Sequence, residues 1–522
     1  MAVQLKTKRT SVILCRVFCL ILVCVLAYNW QRIFYIECID GMISDVPNHV
    51  KLAMGHNDYG LSSYLIRFLY GTFGEHRGQT LLSLCLAANN VVGLFTVWLL
   101  VRRLLPEIDG SFAFLAAVLA ALCGPWIIPG YQTGMYLGVY NGNVYHNMTV
   151  LFSRTFIPLV FLCFFDCWDK RHGRIDFLPW LGAALSFLIA TLFKPNFAFA
   201  FIPMLAVMLL ADFIKYRARY FMNDVILGLS VVPAGLACIW QYLVLFSGDF
   251  AGTSSGVALR VLLGTAGLSA FIMYLRSLLL PVYSLALQAP KEDEAKHIWL
   301  IVICDAFAIF EASLLTETGF RANDGNFDWG SLALYPILFS VSIALLMLLV
   351  QDTDWKDRGA AAKAVLGIIL LLGHLAAGIY CLYRARYGGY YWFYFSASKI
   401  ISLCRSCMAR GCSASPTRTL ILPSPTLPES TSIPSAASSS TARDSAAASA
   451  ALPARLISPL VRLRVIPAKS GRLPSRSART CEPGASVNDE SRCITTEFAI
   501  ASSTDFAWST CDPASARASI SR

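Results

Sequence analysis

The sequence predicts an all-α fold: a polytopic transmembrane helical bundle of about eleven spans, followed by a disordered tail. Three observations predict it. Of the 522 residues, 56% are hydrophobic and only 14% are charged, with a mean hydropathy of +0.58; a soluble domain carries about 25% charged residues. The apolar residues come in runs of about 20, long enough to cross the roughly 30 Å hydrocarbon layer as a helix. The joints between runs alternate between basic and weakly charged, and that alternation sets membrane topology.

The first run, 11–30, follows Lys6, Lys8 and Arg9. No small-x-small cleavage site follows it, so it reads as an uncleaved first span rather than a signal peptide. The next runs are 80–101, 111–128, 149–167, 177–193, 197–214, 225–246, 268–287, 298–315, 331–350 and 364–383. With the N-terminus cytoplasmic, the inside joints carry Arg102 and Arg103, then Lys170, Arg171 and Arg174, then Lys215, Arg217 and Arg219. Lys291 and Lys296 follow, then Lys356 and Arg358; the outside joint 130–148 has no Lys or Arg. This is a multi-pass protein of the cell membrane, with lipid as its first partner.

Outside joints are the long ones, and loops beyond about 15 residues are usually functional or disordered. The first, 31–79, places Leu61, Tyr64, Leu65, Phe68 and Leu69 at i, i+3, i+4, i+7 and i+8. That spacing predicts an amphipathic helix lying in the interface. Any chemistry is therefore expected on the outer face.

Composition breaks near Ser396. Residues 1–396 form the transmembrane helical domain; residues 397–522 are a low-complexity tail rich in Ser, Ala, Arg and Pro, with roughly 7 of the 11 net positive charges. Such a segment buries too little apolar surface to offset its ordering entropy. A GC-rich gene read out of frame yields this composition, and a frameshifted tail is the expectation; a genuine disordered tail is the alternative. Eleven of the 17 cysteines precede the break, mostly inside apolar runs where they act as small hydrophobes. The lone Cys404-x-x-Cys407 has no second pair at zinc spacing.

Three outer clusters hold chemistry-bearing residues. In the first loop Asp45 and His49 are i, i+4 and share a face on a helix. Asp45 reads either as the cap of a short helix with Pro47 in its first turn, or as a general base with His49 on the substrate. Spacing alone favours the cap, and one residue can do both. The second joint, 140–149, contains His146, Asn147 and aromatics, suited to sugar hydroxyls and faces or equally to an interfacial belt. Arg154 follows roughly 8 Å along its span, where a charge costs up to about 2.5–3.5 kcal/mol at the bilayer centre. It should face the bundle or snorkel outward. The third joint, 317–330, holds Glu317, Arg321, Asn326 and further acids. Glu317 and Arg321 can pair at i, i+4, as a structural tie or as part of a site; the polar density favours a site.

Lys194, between the fifth and sixth spans, suits a phosphate partner or simply ends a helix. Asp305 and Glu311 lie inside the ninth span and His374 inside the last, where ionisable groups are costly.

These motifs together resemble the bacterial multi-pass proteins of the GT-C glycosyltransferase architecture. The resemblance rests on Asp45-Val46-Pro47-Asn48-His49, on Asn143 to Asn147 before Arg154, on Lys194-Pro195-Asn196, and on Glu317 to Gly330. It covers about residues 10–395. It implies inverting transfer of a sugar from a polyprenyl-phosphate donor to a glycan acceptor outside the membrane, with Asp45 matching the family's first-loop general base. It also implies substrate-binding roles for His49, His146, Asn147, Arg154, Lys194, Glu317, Arg321 and Asn326. The chain departs at Met148, where the family carries proline.

No Walker loop, dinucleotide fingerprint, HExxH or GxSxG is present. Without a basic stripe interleaved with aromatics, nucleic acid is not an expected partner. No metal set or cofactor is legible. Two rival classes stay open: a surface-polysaccharide polymerase or ligase, and a transporter or flippase, which should show internal repeats and broken helices.

Overall fold

In a computed structural model, the structure describes residues 9–39, 44–55, 60–126, 134–136, 145–247, 257–259, 274–288, 295–318, 326–388 and 392–394. All belong to the first of two compact units. The second unit, Arg405–Thr495, and the rest of the tail lie outside the described residues, as does Arg321.

The chain is a helical membrane protein. Its helices are α1 (Arg9–Ile39), α2 (Val46–Met54), α3 (Leu61–Phe73), α4 (Glu75–Leu104), α5 (Gly110–Ala120), α6 (Met148–Asp169) and α7 (Phe177–Phe193). They continue with α8 (Asn196–Lys215), α9 (Phe221–Leu229), α10 (Val232–Ser247), α11 (Leu279–Gln288), α12 (Ala295–Leu314), α13 (Trp329–Asp352) and α14 (Arg358–Tyr383). Among the described residues, four three-residue strands make two small antiparallel pairs. β1 (Gly134–Tyr136) pairs with β4 (Trp392–Tyr394), and β2 (Val257–Leu259) with β3 (Leu315–Glu317).

Among the described residues, seven helices are long and apolar enough to cross a membrane, and eight if the bent pair α9–α10 is one span. Four of the eleven predicted segments are shorter than a span or broken. The segment 177–193 forms α7 over its predicted length but has only 17 residues. The segment 111–128 is helical only to Ala120, because Gly124-Pro125 cannot extend a helix. There the chain instead packs on α14. The Gly124 N–H donates to the His374 carbonyl at 2.9 Å, and the Gly124 carbonyl lies 2.6 Å from His374 Nδ1. The segment 225–246 bends by 41° between α9 and α10, where Pro233 sits in the first turn of α10 and offers no N–H. Of 268–287, residues 268–273 lie outside the described residues; a helical turn at 274–277 breaks at Leu278, and α11 takes up the remainder.

The centre of the bundle is α6 and α13, whose faces are buried nearly all round. Large apolar side chains elsewhere stand exposed, such as Leu20 on α1, Leu178 on α7 and Ile214 on α8, as expected where lipid is the solvent. Helix ends sort into two faces. Arg16 Nε donates to Ser111 Oγ at 3.0 Å, so α1 and α5 start together. Asp169 at the end of α6 pairs with Arg103 of α4 at 3.1 Å and with Lys296 of α12 at 3.0 Å. The predicted basic joints therefore meet at one face. The opposite face carries α2, α3 and the starts of α6, α8 and α13.

The predicted amphipathic helix is α3. Its buried residues are Ser62, Ser63, Ile66, Leu69 and Tyr70, while Tyr64 and Phe68 of the predicted stripe are exposed. The small serines allow close packing, and the exposed aromatics suit an interfacial position. Gly74, with φ of 76°, turns the chain from α3 directly into α4.

Candidate functional site

Asp45 stands at the N-cap of α2, as its spacing with Pro47 predicts. Its carboxylate makes no capping bond. The Val46 N–H is taken instead by Ser44 Oγ at 3.2 Å, and the Asp45 backbone carbonyl accepts from the His49 N–H at 3.0 Å. The half-buried carboxylate thus sits where a cap would be, without being engaged as one. Ser44 Oγ also donates to the His146 carbonyl at 3.0 Å, which ties the first loop to the second.

His146 is buried, 6% exposed, and lies within the electrostatic reach of both Asp45 and Lys194. Burial lowers its pKa from 6.5 to about 4; Asp45 pulls it upward and Lys194 pushes it further down. The imidazole is therefore neutral at ordinary pH. Its ring lies 5.5 Å from that of Trp329, the first residue of α13. Lys194, the C-cap of α7, holds its ammonium 5.7 Å from the centre of the same indole, within the range of a cation–π contact. Asp45, His146, Lys194 and Trp329 therefore come from four helix ends and meet at one place. Sequence reasoning missed Trp329 as a site residue; its signal was an aromatic at the end of the acid-rich third joint.

The third cluster adjoins this one through Asn196. Its amide nitrogen donates to the Asn326 carbonyl, and the Asn326 side chain donates to Glu317 Oε2 at 2.6 Å. Glu317 lies in β3 opposite Val257, in extended backbone, and its predicted partner Arg321 lies outside the described residues. Asp328 Oδ1 accepts from Tyr274 Oη at 2.9 Å. Below it on α12, Asp305 accepts from Ser331 Oγ at 2.6 Å. Glu311 is buried, and neither carboxylate oxygen has a hydrogen-bond partner among the described residues.

Two predicted site residues are held by the bundle. Asn147 caps α6: its Oδ1 accepts from the Thr149 hydroxyl at 2.7 Å and from the Val150 N–H at 3.3 Å. Arg154 faces inward and donates to Asn90 Oδ1 at 3.2 Å, beside a small cavity also lined by Trp30, Thr155, Pro336 and Ser340. A residue not foreseen is Glu37, buried in the last turn of α1 within electrostatic reach of Asp45. The apolar run that marked the first span ends at Trp30, but the helix runs on to Ile39 and carries Glu37 with it. Among the described residues, no group of three or more His, Cys, Asp or Glu is placed to hold a metal ion.

No protein family model matches the chain, and no curated protein matches it. Among solved structures, the chain is similar to the crystal structure of ArnT from Cupriavidus metallidurans bound to undecaprenyl phosphate. The TM-score is 0.39 at 14% identity, over 72% of this chain and 73% of that one. A likeness of that degree assigns neither activity nor substrate.

Proposed function

We propose that this chain is an integral membrane glycosyltransferase of GT-C type. It transfers a sugar from a polyprenyl-phosphate donor to a glycan hydroxyl at the face that carries Asp45, in cell-surface glycan assembly. The observation that carries the reading is the Asp45 carboxylate, which makes no capping bond, within electrostatic reach of buried His146, which the Lys194 ammonium also reaches. One base and one cation at a membrane face are what a lipid-phosphate leaving group requires.

In this reading the acceptor hydroxyl oxygen attacks the anomeric carbon from the side opposite the phosphate. The bond from that carbon to the phosphate oxygen breaks, and its electron pair leaves with the polyprenyl phosphate. The hydroxyl proton passes to Asp45. Lys194 stabilises the negative charge that builds on the departing phosphate. His49 and Trp329 border the sugar, while Glu317 and Asn326 hold each other in position to meet acceptor hydroxyls. Arg321, in the same joint, is assigned to this acceptor side. His146, uncharged, leaves the charges of base and cation unchanged. Asn147 and Arg154 serve the site by fixing α6, the former as its cap and the latter through Asn90.

A transport reading draws support from Glu311, a buried acid on a spanning helix with no hydrogen-bond partner among the described residues. Donor consumption separates the two. Purified protein in vesicles, given a labelled polyprenyl-phosphate sugar and a glycan acceptor, should release free polyprenyl phosphate and label the acceptor. A transporter would move the lipid across the bilayer and leave its sugar–phosphate bond intact, and that result would overturn the proposal.

A further inference from the structure

The face opposite Asp45 carries a second organised surface. The joint after α6 and the joint after α8 are far apart in sequence, but the structure packs them together. The His172 ring stacks on Tyr220 at 4.3 Å and meets Tyr216 edge-on at 4.4 Å. Its Nε2 lies 3.0 Å from Asp212 Oδ2, and Arg171 Nε donates to Asp212 Oδ1 at 3.1 Å. Asn223 on α9 donates to the carbonyls of Arg171 at 2.7 Å and Gly173 at 2.8 Å. The acids here are already engaged or buried: Asp212 by Arg171 and His172, Asp176 by Lys170, and Asp224 beneath the surface.

Four cations are left over. Arg174, Lys215, Arg217 and Arg219 are exposed and form no ion pair among the described residues. Arg217 and Ala218 adopt φ of 50° and 61°, a left-handed turn built without glycine. It is closed by the Ala218 N–H on the Phe213 carbonyl at 2.9 Å. Two non-glycine residues in that region are an unfavourable arrangement, and a topology signal needs only the charges, not this turn. Large apolar side chains flank the same cations: Leu178 is 77% exposed, Ile214 66% and Met222 67%. Fixed cations bordered by lipid-facing apolar residues match the two halves of a phospholipid.

We propose that this surface is a binding site for an anionic phospholipid, its phosphate held by Arg174, Arg217 and Arg219 and its acyl chains lying against Leu178, Ile214 and Met222. The occupant is lipid rather than free phosphate because exposed Leu178, Ile214 and Met222 stand within four residues of these cations in the chain. Each cation near an anionic headgroup contributes about fivefold in affinity, so removing three should weaken binding on the order of 100-fold.

The test uses the full chain in phosphatidylcholine nanodiscs, with added phosphatidylglycerol read by thermal shift and by the lipid that co-purifies. The wild type should be stabilised by phosphatidylglycerol and not by glycerol 3-phosphate. The triple variant Arg174→Gln/Arg217→Gln/Arg219→Gln should melt like the wild type in phosphatidylcholine alone but need roughly 100-fold more phosphatidylglycerol. A Lys356→Gln/Arg358→Gln variant, altered at another basic joint, should respond like the wild type. If the triple variant does not insert, the single Arg217→Gln variant should still show about a fivefold loss. Equal responses from triple variant and wild type, or an equal loss in the Lys356/Arg358 control, would overturn the site.

Discussion

Lowering pH should destabilise this protein through His146, by an amount the structure sets. In the folded chain the imidazole is buried and its pKa falls from 6.5 to about 4. Between those values the unfolded chain binds a proton that the folded chain does not. Stability is therefore fully present above about pH 6.5 and is lost as pH falls toward 4. At 1.36 kcal/mol per pH unit the loss approaches about 3 kcal/mol, a large part of a typical folding free energy. Denaturant unfolding in nanodiscs, followed by tryptophan fluorescence from pH 7.5 to 4, measures it. His146→Gln keeps a polar side chain without the titration and should flatten that window. If wild type and His146→Gln fall in parallel from pH 6.5 to 4, His146 is not buried neutral. The arrangement of Asp45, His146 and Lys194 would then need revision.

Gly378→Ala should be severely destabilising, because a Cβ there would sit 1.9 Å from the Leu122 carbonyl oxygen and 2.7 Å from the Cys123 carbonyl carbon. Backbone cannot yield as a side chain can, so the loss should reach or exceed the roughly 1–3 kcal/mol of ordinary overpacking. Gly71→Ala, with nothing within 4 Å of the added carbon, should be neutral or stabilising in the same melt. Glu317→Gln should keep its bond from Asn326 in part and melt nearly as the wild type does, yet slow transfer if the acid meets the acceptor; lost stability at full activity would make it a loop tie only. Labelling intact cells at single cysteines should reach a probe at Asn143 and miss one at Gly173; the reverse pattern would invert the orientation.

Spans were legible because a run of about 20 apolar residues is its own signal, and caps because they are local. Asp45 with Pro47 stands at the N-cap of α2, where its spacing puts it; the cap that Asn147 makes on α6 was not read from the sequence. The sequence did not show that the Asp45 cap position would carry no capping bond, since that depends on Ser44 taking the Val46 N–H. The extended backbone at Glu317 was not legible because it is set by pairing with Val257, sixty residues upstream, not by its neighbours. The approach of His146 to Lys194 and Trp329 joins three distant helix ends, which no periodicity encodes. The same holds for His172 between Tyr216 and Tyr220: each basic joint was visible as topology, but their union was not.

Transfer by Asp45→Asn tests the central claim most directly. Asparagine keeps the shape at the N-cap and removes the base. In vesicles with a labelled polyprenyl-phosphate sugar and a glycan acceptor, the variant should insert and melt as the wild type does and lose acceptor labelling by about 100-fold or more, the span expected of a general base. Full transfer by Asp45→Asn would contradict the account and exclude Asp45 as the base.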